Sequence, residues 1–355
     1  MKVFPTSRYT MVGTYPDSVT ATGHLSANEI DANLHRHKSL TGSLPAFAIT
    51  AAYSFDTPAF RLPLDQMETM DLRGVVPLVI LWPYPPIGLD QINAGELDAV
   101  FRERARELYD WSYGGRRPCL MQFGTEITFE HYPWAAANNG GWEMTGWVDG
   151  QPWPIGPAKY IHAMRRVWRI FADAGCEITW NWQTMAEFRG NALNRPRWYY
   201  PGSECTDWVG ISVYRDREGG LWGTYESGLR ESLAQIDEIP GAANKPLYVE
   251  IMCQEKTGEP NFKADYFRDV FSRTFSGEFE RTARHGGAIG VWDAFTAMGE
   301  VEVTAGGPRP KLLRTPGITP APVPLLLGID SSPAAALAFR EGVSGDWYTS
   351  RARLV

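Results

Sequence analysis

The chain has 355 residues, of which 44% are hydrophobic, and a formal net charge of −7 from 41 acidic and 34 basic side chains. That balance argues against nucleic acid or any other polyanionic partner, while the apolar share is enough for a sizeable core in a water-soluble fold. The length exceeds the common domain size of about 100 to 150 residues but suits a closed α/β barrel, which folds as one unit at roughly 250 residues or more.

In chain order, the opening "MKVFPTSRYTM" has no apolar h-region, and no long uncharged apolar run follows anywhere. The expectation is therefore no signal peptide and no membrane partner, for a protein that is either cytoplasmic or secreted with its leader removed. Eight short apolar or β-branched runs then recur: "YTMVGTY", "PAFAITAAY", "VVPLVILWP", "PCLMQFGTE", "EITWNWQ", "DWVGISVY", "PLYVEIM" and "AIGVWDAF". Several are apolar almost throughout, as strands buried on both faces should be.

Helical patterns fill most of the gaps. In "ELDAVFRERARELYDW", Leu97, Phe101, Leu108 and Trp111 share one face. In "PAKYIHAMRRVWRIFADAG", the stripe is Tyr160, Met164, Val167, Trp168 and Phe171, opened by proline and closed by Gly175. Further helices are expected in "YESGLRESLAQIDEIPG", "ADYFRDVFSRTFSGEFERTARHGG" and "SSPAAALAFREG", and only the gap between the fifth and sixth strands lacks a clear one. Alternating strands and helices predict an α/β fold, a (β/α)8 TIM barrel with long βα loops. It is read as a single catalytic domain over residues 1–355, with a Pro/Gly-rich excursion at about 299–328 before the last helix, expected to shield one end of the cleft.

Two side features carry blander readings. The pair His35 and His37 in "LHRHKSL" has the H-x-H spacing of a metal site but sits in a helical segment instead of closing a strand, so surface histidines are expected and no metal is assigned. Cys119, Cys176, Cys205 and Cys253 lack C-x-x-C spacing and read as buried free thiols. No glycine-rich phosphate loop and no G-x-S-x-G elbow is present, so no cofactor is assigned.

Barrel chemistry sits at the C-terminal ends of the strands. Glu126 closes "PCLMQFGTE", Tyr214 closes "DWVGISVY", Glu250 closes "PLYVE", and Trp292 with Asp293 closes the last run. Glutamates on the fourth and seventh strands face one another across the mouth. That is the arrangement glycosidic cleavage needs, one carboxylic acid to protonate the leaving oxygen and one carboxylate to meet the anomeric carbon. Retention would follow from a separation of about 5 to 5.5 Å and inversion from about 6.5 to 9.5 Å, and sequence leaves both open. Glu130 reads as a rim residue, and Trp168 as core.

The run "TEITFEHYPW" resembles the acid/base strand of glycoside hydrolase family 26, the β-mannanases, where His-Glu-Met-Asn-Gly is followed by two aromatics, Pro and Trp; the spacing from Glu126 to "YPW" matches without a gap. "PLVILWP", "WRIFADAGCEITWNW", "YYPGSECTDWVGISVY", "KPLYVE" and "SSPAAALAFR" are similar to other segments of that family, so the likeness spans most of the chain. The resemblance implies Glu126 as general acid/base, Glu250 as nucleophile with Glu255 as the second candidate, and Tyr214 as the residue orienting the nucleophile. It further implies a β-linked glycan as partner, with Thr125, His131, Trp134, Trp182, Trp292 and Trp82 as substrate-binding residues. Thr125, Thr128 and His131 stand where the family has histidine, asparagine and tryptophan. Mannan is thus the first expectation, with xylan, glucan, an exopolysaccharide or a catalytically silent glycan-binding barrel as alternatives.

Overall fold

β-Branched and large apolar residues occupy most positions of the short strands, leaving no face for water, and a sheet of such strands must be covered on one side and filled on the other. The computed structural model describes residues 1–4, 10–16, 19–20, 23–24, 26–53, 61–130, 132–186, 193–215, 224–253, 255–256, 258–273, 287–293, 300–304, 307–311, 329–345 and 348–349. Eight parallel strands close into a barrel: β1 (Thr10–Pro16), β2 (Phe47–Tyr53), β3 (Val76–Trp82), β4 (Leu120–Phe123), β5 (Thr179–Met185), β6 (Trp208–Arg215), β7 (Leu247–Cys253) and β8 (Gly287–Asp293). Each pairs with the next, and β8 pairs with β1 from Thr10↔Gly287 to Pro16↔Asp293, which shuts the ring.

The outer layer is α1 (Ala27–Thr41), α2 (Leu64–Leu72), α3 (Leu89–Ala94), α4 (Asp98–Trp111), α5 (Ile155–Asp173), α6 (Tyr225–Asp237), α7 (Phe262–Arg273) and α8 (Pro333–Val343). Local signals set their ends. Ser26 and Glu29 form a capping box that starts α1, which stops at left-handed Gly42. Ser332 caps α8 by accepting from the Ala335 amide, with Pro333 in the first turn. Between β5 and β6 the described residues hold only two 3₁₀ turns, Pro196–Trp198 and Ser203–Cys205.

Large inward side chains fit because glycines on neighbouring strands leave room. A Cβ on Gly13 would lie 2.2 Å from the Phe47 ring, one on Gly210 would lie 2.9 Å from Gln183 Cγ, and one on Gly290 would lie 2.4 Å from the Tyr248 hydroxyl.

All four cysteines are free and buried, as the sequence implied. The histidine pair divides: His35 is exposed, but His37 is buried, its ring edge-on to Phe339 on α8. The expectation of a surface residue fails for His37 because α1 turns that face towards α8. Trp168 is half-buried against the core. Within the excursion, Glu300–Thr304 and Gly307–Lys311 pair as an antiparallel ribbon, and its remaining residues, with any shielding role, lie outside the described residues. Among the described residues no helix is long and apolar enough to cross a membrane.

Candidate active site

Strand β4 stops at Phe123 because the next residues leave the β region: Gly124 has φ 62° and Glu126 has φ 47°. A left-handed conformation is costly for a glutamate, so neighbours must hold it. Trp134 does so from beneath, its Nε1 donating to the Thr125 carbonyl at 2.8 Å while its ring lies close under Gly124. Tyr132 stacks on Trp134 with ring centroids 4.5 Å apart. On the other side, the Ile127 amide donates to the Gln183 carbonyl and Thr128 Oγ1 accepts from the Met185 amide, pinning the turn to β5.

The turn carries Glu126 into the barrel mouth, where it is 3% exposed. Burial, reinforced by the Glu250 charge, pushes its carboxyl up to about 7, against hydrogen-bonding contributions from Tyr214, Ser212 and Tyr132. Glu250, 2% exposed on β7, accepts from Tyr214 on Oε1 at 2.6 Å and from Tyr248 and Gln183 on Oε2 at 2.7 and 3.1 Å. Three donors on one carboxyl fix its orientation. The Tyr214 hydroxyl lies within hydrogen-bonding reach of both carboxyls.

Beneath the carboxyls runs a chain of amides. Asn181 Nδ2 donates to Gln122 Oε1 at 2.6 Å, Gln122 Nε2 donates to Gln183 Oε1, and Gln183 Nε2 donates to Ser212 Oγ at 2.6 Å and to Glu250. Thr125 Oγ1 donates to Gln183 Oε1 at 2.9 Å.

The structure thus brings Glu126, Glu250, Tyr214 and Thr125 together. Among the described residues, the tryptophans expected to line the cleft are buried. Trp182 is fully buried, edge-on to Tyr200 at 5.2 Å, because β5 alternates and its inward positions belong to Asn181 and Gln183. Trp134 is also fully buried, as the prop of the β4 turn. Trp82 is 7% exposed at the end of β3 and meets Tyr84 edge-on. His131 and the Trp292 side chain lie outside the described residues. Glu255 follows β7 and accepts from Ser331 at 2.7 Å, away from the amide chain. Glu130 is half-buried, its carbonyl accepting from Asn138.

Sequence reasoning missed Gln183, Ser212, Tyr248 and Tyr132. One signal was available: in "TWNWQT" the tryptophans alternate with Asn181 and Gln183, so a barrel that buries the amides inward turns Trp180 and Trp182 outward.

Superposed on solved structures, the chain is similar to the catalytic domain of the Bacillus sp. JAMB-750 GH26 endo-β-1,4-mannanase, with TM-score 0.61 and 14% identity over 96% of this chain and 87% of that one. Against the Cellulomonas fimi endo-β-1,4-mannanase double mutant the TM-score is 0.60, with 17% identity over 97% of this chain and 72% of that one. The fold is the (β/α)8 barrel seen in these glycoside hydrolases. A family 1 β-glucosidase from Thermotoga maritima also matches, with TM-score 0.53 and 12% identity over 96% of this chain and 98% of that one. No protein-family model and no curated protein matches the chain. What these proteins share with the chain is the barrel, and the case for activity rests on the carboxyls at its mouth.

Proposed function

We propose that the protein is a retaining glycoside hydrolase acting on a β-linked polysaccharide or oligosaccharide, with β-mannan the first substrate to try and xylan, glucan or an exopolysaccharide next. The observation that carries this reading is the Glu126–Tyr214–Glu250 cluster: two buried carboxyls at the mouth of one barrel, one raised to about 7 chiefly by burial and the other held by three donors. The shared Tyr214 neighbour gathers both carboxyls into one small site, as attack and protonation at a single glycosidic bond require.

In the first step a Glu250 oxygen forms a bond to the anomeric carbon as the glycosidic C–O bond breaks, and the Glu126 proton passes to the departing oxygen. In the second, water attacks that carbon, Glu126 takes the water proton, and the ester bond to Glu250 breaks. Glu126 thereby returns to its acid form. Its carboxyl alternates because Glu250 is charged before the first step and neutral as an ester after it, which removes the repulsion that holds the Glu126 proton. Tyr214 and Tyr248 fix the rotamer of the attacking carboxylate.

The test is release of reducing ends from soluble β-mannans, xylans and glucans by the wild type, Glu126→Ala and Glu250→Ala. Cleavage of one glycan, lost in both variants, is expected. Cleavage that survives both substitutions overturns the assignment, and binding without turnover identifies a silent glycan-binding barrel.

A further inference from the structure

Gln183 has no role in the two-step scheme above, yet it is 1% exposed and uses all four of its hydrogen-bonding positions. Its two N–H groups donate to Ser212 Oγ and Glu250 Oε2, and its carbonyl accepts from Gln122 Nε2 and Thr125 Oγ1. The orientation of the amide follows from Glu250, whose Oε2 accepts from Nε2, and the amides below continue the same sense. With the Gln183 NH₂ towards Glu250, its carbonyl faces the Gln122 NH₂, and Gln122 Oε1 in turn accepts from Asn181 Nδ2. The fold reserves room for it, since a Cβ on Gly210 would lie 2.9 Å from Gln183 Cγ.

One amide therefore touches the carboxylate on β7 and the residue preceding the carboxyl that follows β4. We infer that Gln183 is a positioning residue that couples the two carboxyls, holding Glu250 by direct donation and the Glu126 turn through Thr125. This inference rests on the glycosidase reading for its catalytic meaning, though the coupling itself is a property of the folded protein. A glutamine suits the position because it donates to one neighbour and accepts from the other without adding charge. A glutamate of the same size would keep the acceptor but set a third carboxyl against Glu250, at a donor–acceptor spacing now 3.1 Å. A methionine would keep the volume and remove all four bonds.

The experiment compares wild type, Gln183→Glu and Gln183→Met in two readouts. The first is the pH profile of kcat/KM on whichever glycan the panel identifies. Gln183→Glu is expected to move the acid limb upward by about one pH unit or more, since like charge resists ionisation of Glu250. Gln183→Met is expected to lower kcat by about tenfold or more with KM within about threefold, as loss of orientation in the transition state requires. The second readout needs no substrate: ¹³C NMR titration of glutamate labelled at Cδ, with the Glu126 and Glu250 signals assigned by their loss in Glu126→Gln and Glu250→Gln. Gln183→Glu must raise the midpoint of at least one of the two. An unshifted NMR midpoint in a folded Gln183→Glu protein overturns the inference whatever the activity. Shifted midpoints with no glycan cleaved uphold the coupling and count against the glycosidase reading alone. If Gln183→Glu fails to fold, Gln183→Met decides: unchanged midpoints and an unchanged kcat overturn the inference.

Discussion

At the scale of single residues, the site stores free energy in the wrong protonation state. The Glu126 carboxyl is raised from 4.5 to about 7, chiefly by burial. The folded protein consequently binds a proton more tightly than the unfolded chain, so stability declines as pH rises from about 4.5 through about 7. Glu126→Gln removes the buried charge and keeps the shape. It should raise the melting temperature at pH 8, change it little at pH 4, and abolish turnover; calorimetry at the two pH values checks this. Equal shifts at both would mean the carboxyl is not the source. Activity of the wild type should fall as pH rises through about 7, because the acid form is the one that donates.

At the scale of elements, the strands are alternating combs, and this decides what could be read from sequence. The eight strands, their order and the helices between most of them were legible, because an apolar run bounded by glycine, proline or charge leaves few choices. Strand ends were legible to a residue or two, except on β4. The expected run reached Glu126, but hydrogen-bonded strand ends at Phe123, since Gly124 and Glu126 turn left-handed. Glu126 and Tyr214 could be picked out because they end apolar runs, whereas Glu250, expected to close its strand, lies at the middle of β7 and stood out as the one charge in an apolar run. Gln183, Tyr248 and Ser212 could not: a polar residue inside an apolar run reads as an interruption until the barrel gives it partners. Tyr248 depends on its neighbour across the sheet, because Gly290 on β8 leaves space for its hydroxyl. Gly290→Ala should displace Tyr248 from Glu250 and lower kcat more than KM. Steady-state kinetics of this variant and of Tyr248→Phe should therefore agree, and a Gly290→Ala enzyme with wild-type kcat would disprove the link.

At the scale of the whole molecule, α8 ties the end of the described chain to its beginning. Phe339 is fully buried, edge-on to Phe267 and Phe271 of α7 and to His37 of α1. Arg36 of α1 pairs with Asp330 just before α8. Phe339→Ala should cost about 3 to 5 kcal/mol of stability in urea unfolding, while activity per folded molecule is retained, since the contact lies in the helical layer outside the barrel. His37 adds a pH dependence to the same joint. Burial lowers its imidazole to about 4 from 6.5, so it is neutral when folded at pH 7. Between those values the unfolded chain binds the extra proton, and stability is lost as pH falls from about 6.5 towards 4. His37→Phe should flatten that slope in urea titrations run across the window; an unchanged slope would place the acid sensitivity elsewhere.

The Tyr214 hydroxyl has one hydrogen and two carboxyl neighbours. If that hydrogen goes to Glu250, the side of the oxygen facing Glu126 offers only a lone pair, and an ionised Glu126 there would bring two acceptors face to face. Glu126 can complete the row only by contributing a hydrogen of its own. The single phenol hydrogen therefore serves one carboxyl at a time, and what Tyr214 gives to Glu126 it withdraws from Glu250.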